Sequence, residues 1–311
     1  MARASFRGIP IMWKWISRII ITVAVLLLAV QIADRLSRRG HPLPTVPDPN
    51  GYDILLTVAR QVTTPPGDLA DLGPEAIRQL ARTNRESMDR LHVALRTETG
   101  VPLSVNPGWV DKHAEEVKQL KRLVVILALQ SRAALLDGNT NGSAGFLLDT
   151  ILLGQAMARG GILSDGINSL AVETIGAAVL RAQVPSLDAA TARSLAQELE
   201  RSEARREQPE RILKTQKDWA TASFGLINRI GGFLVHKTDA QRRAQFLGRY
   251  YETMKRTRRL MLILAAHAVE LETGNRIVNP SSLVPGVLKS VPLDPEKNTP
   301  MTEIPGATNT P

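Results

Sequence analysis

Apolar residues recur at helical spacing along almost the whole chain, and one segment is apolar with no period at all. From Ile19 to Ala33 the sequence reads Ile-Ile-Ile-Thr-Val-Ala-Val-Leu-Leu-Leu-Ala-Val-Gln-Ile-Ala. A helix over residues 15–34, at about 1.5 Å rise per residue, matches the roughly 30 Å of hydrocarbon that a spanning helix crosses. Trp13 and Trp15 stand where aromatic rings sit at headgroup level, and Lys14 and Arg18 can reach towards the phosphates. The pattern predicts a single transmembrane helix, 15–34, after a short basic tail, 1–14. The competing reading, a cleaved signal peptide, finds no small-x-small site after the run.

Residues 35–50 begin basic and turn proline-rich, with Pro42, Pro44, Pro47 and Pro49. Proline fixes φ and lacks an N–H, so an extended, semi-rigid stalk is expected there. From Gly51 the period is helical. Predicted helices run over 52–62, 74–98, 109–136, 143–159, 164–183, 186–207, 209–228 and 239–272. Pro74 suits a first turn, Asp111 and either Ser186 or Asp188 suit N-caps, and Gly160-Gly161 and Gly231-Gly232 read as breaks. No alternating run is long enough for a strand. The expected fold is all-α: one multi-helix bundle or αα-hairpin domain over 51–296, then a disordered tail, 297–311.

The predicted core lies mid-chain. Leu123–Leu129 is continuously apolar, as are Phe146–Leu148 and Ile151–Leu153 in the next helix. Such helices need cover on all sides. Ile167, Leu170, Ala171, Thr174, Ile175 and Ala178 form one stripe at 3.6-residue spacing. Tyr250, Met254, Thr257, Met261, Leu264, Ala268 and Leu271 form another. Both are expected to face inward. The helix–turn–helix 115–159 resembles a single tetratricopeptide-type hairpin, with Ala133, Leu135, Gly138, Ala144 and Leu148 in the matching places. Arrays of that kind need about three units to bury a core, and no repeat is found.

Charge changes the picture of the partner. The 311 residues carry a net +9 and no cysteine, which excludes a disulfide framework, thiolate metal sites and a cysteine nucleophile. Residues 1–40 hold +6 of the excess, around the apolar run. That placement suits anionic lipid headgroups, not nucleic acid, so no nucleic-acid partner is expected. Arg3, Arg7, Lys14 and Arg18 precede the span and Arg35, Arg38 and Arg39 follow it. The slight bias predicts a cytoplasmic N-terminus and a helical domain on the far side of the membrane.

Candidate chemistry is thin. Among His41, His92, His113, His236 and His267, none pairs at ligand spacing, and phosphate-loop, dinucleotide, nucleophile-elbow and Ser-x-x-Lys motifs are absent. No cofactor, metal site or catalytic residue is assigned. His267 and Glu270, one helical turn apart, would need carboxylates from other helices to hold a metal or act as an enzyme site. Arg242, Arg243, Arg249, Lys255, Arg256, Arg258 and Arg259 read as a solvated face pairing with acids such as Glu198, Glu200 and Glu203, or as an anion-binding surface.

Two segments carry a resemblance. Pro49-Asn50-Gly51-Tyr52-Asp53 after the stalk, and Leu283-Val284-Pro285 with Leu288-Lys289-Ser290-Val291-Pro292-Leu293-Asp294-Pro295, are similar to a group of uncharacterised bacterial single-span membrane proteins with helical exported domains. Val291–Pro295 also resembles the tail of type II secretion pseudopilins. The first resemblance brings no assigned activity with it; the anchor, the stalk and a helical domain without a catalytic motif are together read as a non-enzymatic, membrane-anchored helical binding or assembly module with a possible protein partner. The second implies a component of an envelope secretion or pilus-like apparatus.

Overall fold

The computed structural model describes residues 9–39 and 42–305; the side chains of 9–14, 16–19, 37–39 and 226–239 lie outside the described residues. The described chain is all-α. Its helices are α1 (Ile9–Arg39), α2 (Gly51–Gln61), α3 (Pro74–Thr83), α4 (Arg85–Arg96), α5 (Trp109–Leu136), α6 (Thr140–Ala158), α7 (Leu163–Gln183), α8 (Ala189–Ala204) and α9 (Pro209–Thr273). No β-strand forms among the described residues.

Polar side chains set the helix ends. Asn50 accepts from Tyr52 N at 3.1 Å and also from Gly100 N at 3.0 Å, so one residue caps α2 and ties down the loop after α4. Asp188 caps α8, accepting from Thr191 N at 2.7 Å. Asp111 lies in the first turn of α5, behind an N-cap at Gly108. The helix predicted over 74–98 is two helices. Asn84 leaves helical geometry at φ −92°, ψ 2°, and its side chain accepts from Thr63 N and donates to Thr63 O. That pair of bonds to a distant loop is a tertiary contact with no local signature.

The expected break at Gly231-Gly232 does not occur, and helix continues through it. A helix interior tolerates glycine at a cost of about 1 kcal/mol relative to alanine. The kink falls at Gly225 instead, whose φ of 54° and ψ of −132° suit a residue without Cβ.

Buried α6 is the axis of the domain, with every residue from Leu147 to Ala158 enclosed. Leu127 of α5 and Leu152 of α6 share its main apolar cluster. The α6–α7 seam is close because two glycines face it. A Cβ at Gly154 would lie 2.8 Å from Glu173 N, and one at Gly176 would lie 2.9 Å from Leu147 O. This seam turns α7 over relative to its predicted orientation. Of the expected stripe, Leu170 is buried, but Ile167 and Ile175 are 45% and 52% exposed, and Ala171 and Ala178 are exposed too. The buried face holds Asp165, Gly166, Ser169, Glu173 and Gly176. Small residues let the backbones approach, and α7 trades its apolar stripe for that contact. The α9 stripe is buried from Tyr250 to Ala268, with Leu271 left outside. Leu123–Leu129 is not covered all round either, since Val125 is exposed.

The ends of the domain also differ from expectation. Residues 42–50 are extended but do not stand free. Leu43 packs beside Trp109, Ile162 and Trp219, and Pro47 lies against Gly100. The tail expected to be disordered from 297 continues in contact with the core through 305, with Met301 and Ile304 buried in the main cluster. Residues 306–311 lie outside the described residues. Residues 20–33 of α1 are exposed on every side. Among the described residues no helix is long and apolar enough to cross a membrane. The predicted span 15–34 includes residues 16–19, whose side chains lie outside that description.

Candidate binding cleft

A cleft of about 780 Å³ opens between α3–α4 and α5–α6. Its apolar walls are Met88 and Phe146 with Ala81 and Ala133, and its rim carries Arg78, Arg82 and Arg85 together with Asp89 and Asp137. The size falls within the roughly 300–1,000 Å³ typical of small-ligand sites. Asp149 lies in it and is buried, the one charged residue in the sequence of α6. Its Oδ2 faces His92 Nδ1 at 3.3 Å, while Oδ1 has no hydrogen-bond partner among the described residues. A buried polar atom without a partner is uncommon and costs free energy unless something pairs with it. His92 is half exposed, so its contact with Asp149 lies on the solvent side of the polar floor. On the rim, Arg78 is held by Asp137 at 2.7 Å and Arg82 by Glu75 at 2.9 Å. The hydrogen bond from Arg78 to Asp137 holds its guanidinium above the usual arginine value.

Two further ionic clusters are closed to solvent. In one, Arg206 of the α8–α9 turn makes a bidentate pair with Glu173 of α7, and its Nε donates to Glu203 at 2.7 Å. Thr257 donates to Glu173 at 2.6 Å, and Arg258 to Glu203 at 3.0 Å. The Arg206 guanidinium carbon, Cζ, sits 5.8 Å from the centroid of the Tyr250 ring. Burial opposes the charge on Arg206, but Glu173 and Glu203 outweigh it and hold the guanidinium protonated. With two acids and two cations balanced, this network fixes α7 against α8 and α9.

In the other, His113 Nε2 donates to Asp165 Oδ1 at 2.7 Å and Nδ1 faces Glu116 at 3.5 Å. The Trp109 ring stacks on the imidazole at 4.6 Å between centroids. Burial pushes the imidazole down, yet the hydrogen bond and charge of Asp165, then those of Glu116, raise it above its ordinary value. Tyr52 Oη is buried there without a hydrogen-bond partner among the described residues, and burial with the two carboxylates pushes its phenol up. Asp165 also accepts from Ile162 N at 2.9 Å, which starts α7. This cluster too is a structural joint, binding α2, α5 and α7.

The structure does not bring His267 and Glu270 together with acids from other helices. His267 Nε2 donates to Leu187 O at 3.1 Å, and Glu270 accepts from Ile277 N at 2.9 Å. Among the described residues, no group of three or more His, Asp or Glu is placed to hold a metal. The basic stretch is divided: Arg258 pairs with Glu203 and Lys255 with Asp294, while Arg256 pairs on the surface with Glu252. Glu198 pairs with Arg201, and Glu200 accepts from Lys289 N. The Val291–Pro295 segment folds back onto α9, where Asp294 also caps Glu296 N and Lys297 N.

Asp149 and His92 belong to no motif. The available signal was a single acid in an otherwise apolar helix. Its partner, on a helix 57 residues earlier, follows from packing alone. The chain matches no protein-family model, no curated protein and no solved structure.

Proposed function

We propose that this protein is a non-enzymatic binding module, held at a bacterial inner membrane by α1, whose α3–α6 cleft takes a short peptide segment. The observation that carries the reading is the buried Asp149, whose Oδ1 has no partner among the described residues, lining an open cleft whose rim carries three arginines beside Asp89 and Asp137. The buried acceptor calls for a donor such as an amino group, and the rim suits a carboxylate. A peptide end or a short zwitterionic segment offers both. Support for the anchor comes from the apolar run at 19–33, its basic flanks, and the exposure of residues 20–33 on all sides of α1.

The test is calorimetric titration of the full chain in detergent micelles with a pool of free-amine tripeptides, and with the same pool N-acetylated. The free pool should bind, and acetylation or Asp149→Asn should abolish the heat. Silence from both pools, or unchanged binding by Asp149→Asn, rejects the cleft. Release of the chain from membranes by alkaline carbonate rejects the anchor.

A further inference from the structure

The chain enters the helical domain at one pole, and that pole carries two arginines without acidic partners. Leu43 packs beside Ile162 and Trp219, Pro47 lies against Gly100, and Gly100 lies against Gly160. Val101 N donates to Arg159 O at 2.9 Å, so the α6–α7 turn sits beside the stalk. Four residues separate Leu43 from Arg39 at the end of α1, a reach of at most about 14 Å.

Arg159 closes α6 on this turn. Its Nη1 donates to Thr99 Oγ1 at 3.0 Å, and its Nε is buried without a hydrogen-bond partner among the described residues. Among the described residues neither Arg159 nor Arg205, which is exposed on the α8–α9 turn, makes an ion pair. The other charges here are engaged or open to water. Glu207 accepts from Gly160 N at 3.0 Å and pairs with Arg211 at 3.1 Å. Arg206 is neutralised by Glu173 and Glu203, and Glu98 is exposed past the end of α4. Burial, then the charge of Arg205, pushes the Arg159 guanidinium down to about 10, with Arg206 adding to the effect and Glu207 and Glu98 opposing it.

Two cations that oppose each other's charge are relieved by one shared anion. Guanidinium groups match the oxygens of a phosphate in pairs. The place of the pair selects the source of that phosphate. With α1 in a bilayer, the short stalk holds this turn near the headgroups, where anionic phosphates are concentrated. Phe224 supports the placement: it is 48% exposed and meets Trp219, of the cluster that holds Leu43, edge-on at 5.8 Å. Aromatic rings exposed in this way are typical of the membrane interface.

We infer that Arg159 and Arg205 form a binding site for the phosphate group of an anionic lipid headgroup, which seats the stalk end of the helical domain on the bilayer. The inference rests on α1 being the membrane anchor and is independent of what the α3–α6 cleft binds.

The test titrates the full chain, in micelles of a neutral detergent, with phosphatidylglycerol, with phosphatidylcholine and with inorganic phosphate, binding being read by thermophoresis. Phosphatidylglycerol should bind saturably and more tightly than the other two. Arg205→Gln and Arg159→Gln should each weaken it about fivefold, the effect of one cation at an anionic surface. Arg256→Gln, which removes an exposed pair with Glu252, should leave it unchanged. Circular dichroism checks that the variants are folded, and exposed Arg205 carries the test if Arg159→Gln does not fold. Phosphatidylglycerol binding indifferent to the variants belongs to Arg35, Arg38 and Arg39 after the apolar run and overturns the inference. So does equal binding of phosphatidylcholine. Inorganic phosphate that binds as tightly, and is lost with the same variants, assigns the arginines to free phosphate and overturns the lipid site. A chain that resists alkaline carbonate but fails these titrations loses the site and keeps the anchor. One that carbonate releases loses the anchor, and the lipid site with it.

Discussion

Gly154 and Glu173 meet across the α6–α7 seam so closely that a Cβ on residue 154 would stand 2.8 Å from the Glu173 nitrogen. The seam holds more than packing. Glu173 is the buried carboxylate that receives Arg206 and Thr257, so the distance between α6 and α7 also sets the geometry of the ionic network to α8 and α9. Gly154→Ala forces backbone, not a flexible side chain, to move. The expected cost is about 1–3 kcal/mol from overpacking, with more where the Glu173–Arg206 pair is disturbed. Urea denaturation midpoints measure it. A variant as stable as the parent would show that the seam has slack.

The core is expected to respond at Leu127 and Leu152, both buried in the cluster around α6. Each truncation to alanine should cost about 2–5 kcal/mol, the range for cavities that cannot collapse. Arg256→Ala removes an exposed pair with Glu252, 2.9 Å apart on the α9 surface, and should fall within about 0.5 kcal/mol. Thermal or denaturant melts of the three variants check the ordering. Harmless leucine truncations beside an unfolding Arg256→Ala would place the core elsewhere.

His113 makes stability depend on pH in a stated direction. Its folded value is raised by Asp165 and Glu116 above the ordinary imidazole value of about 6.5. The folded state therefore binds the proton more tightly than the unfolded state does. The stabilisation is complete below about pH 6.5 and is lost as pH rises through the raised value. His113→Gln should be less stable than the parent at pH 6, with the gap closing at alkaline pH. Denaturation midpoints across that range measure it, and a gap that widens with pH would show the imidazole is neutral when folded.

Much of the architecture was legible in the chain, for local reasons. Helical spacing, Asp188 as a cap, proline at first turns and the apolar runs of α5 and α6 act within a few residues, so the all-α reading and most helix limits follow from them. The split at Asn84 was not legible, because its bonds go to Thr63 in a distant loop. Nor was the docking of Met301 and Ile304, which come from a polar-looking tail.

The sequence by itself determined the helical class, the buried α6, and an apolar N-terminal run flanked by basic residues. Only the tertiary structure decided which side of α7 turns inward. Period and hydrophobicity favoured the Ile167–Ile175 stripe, but the opposite side carries Gly166, Ser169 and Gly176, which allow close backbone approach. It also carries Asp165 and Glu173, whose partners, His113 and Arg206, arrive from α5 and from the α8–α9 turn. A buried charge is tolerable only when its partner is in place, and no single helix can announce a partner that folding supplies. The same reason hid Asp149 and His92, which meet only because α4 is laid across α6.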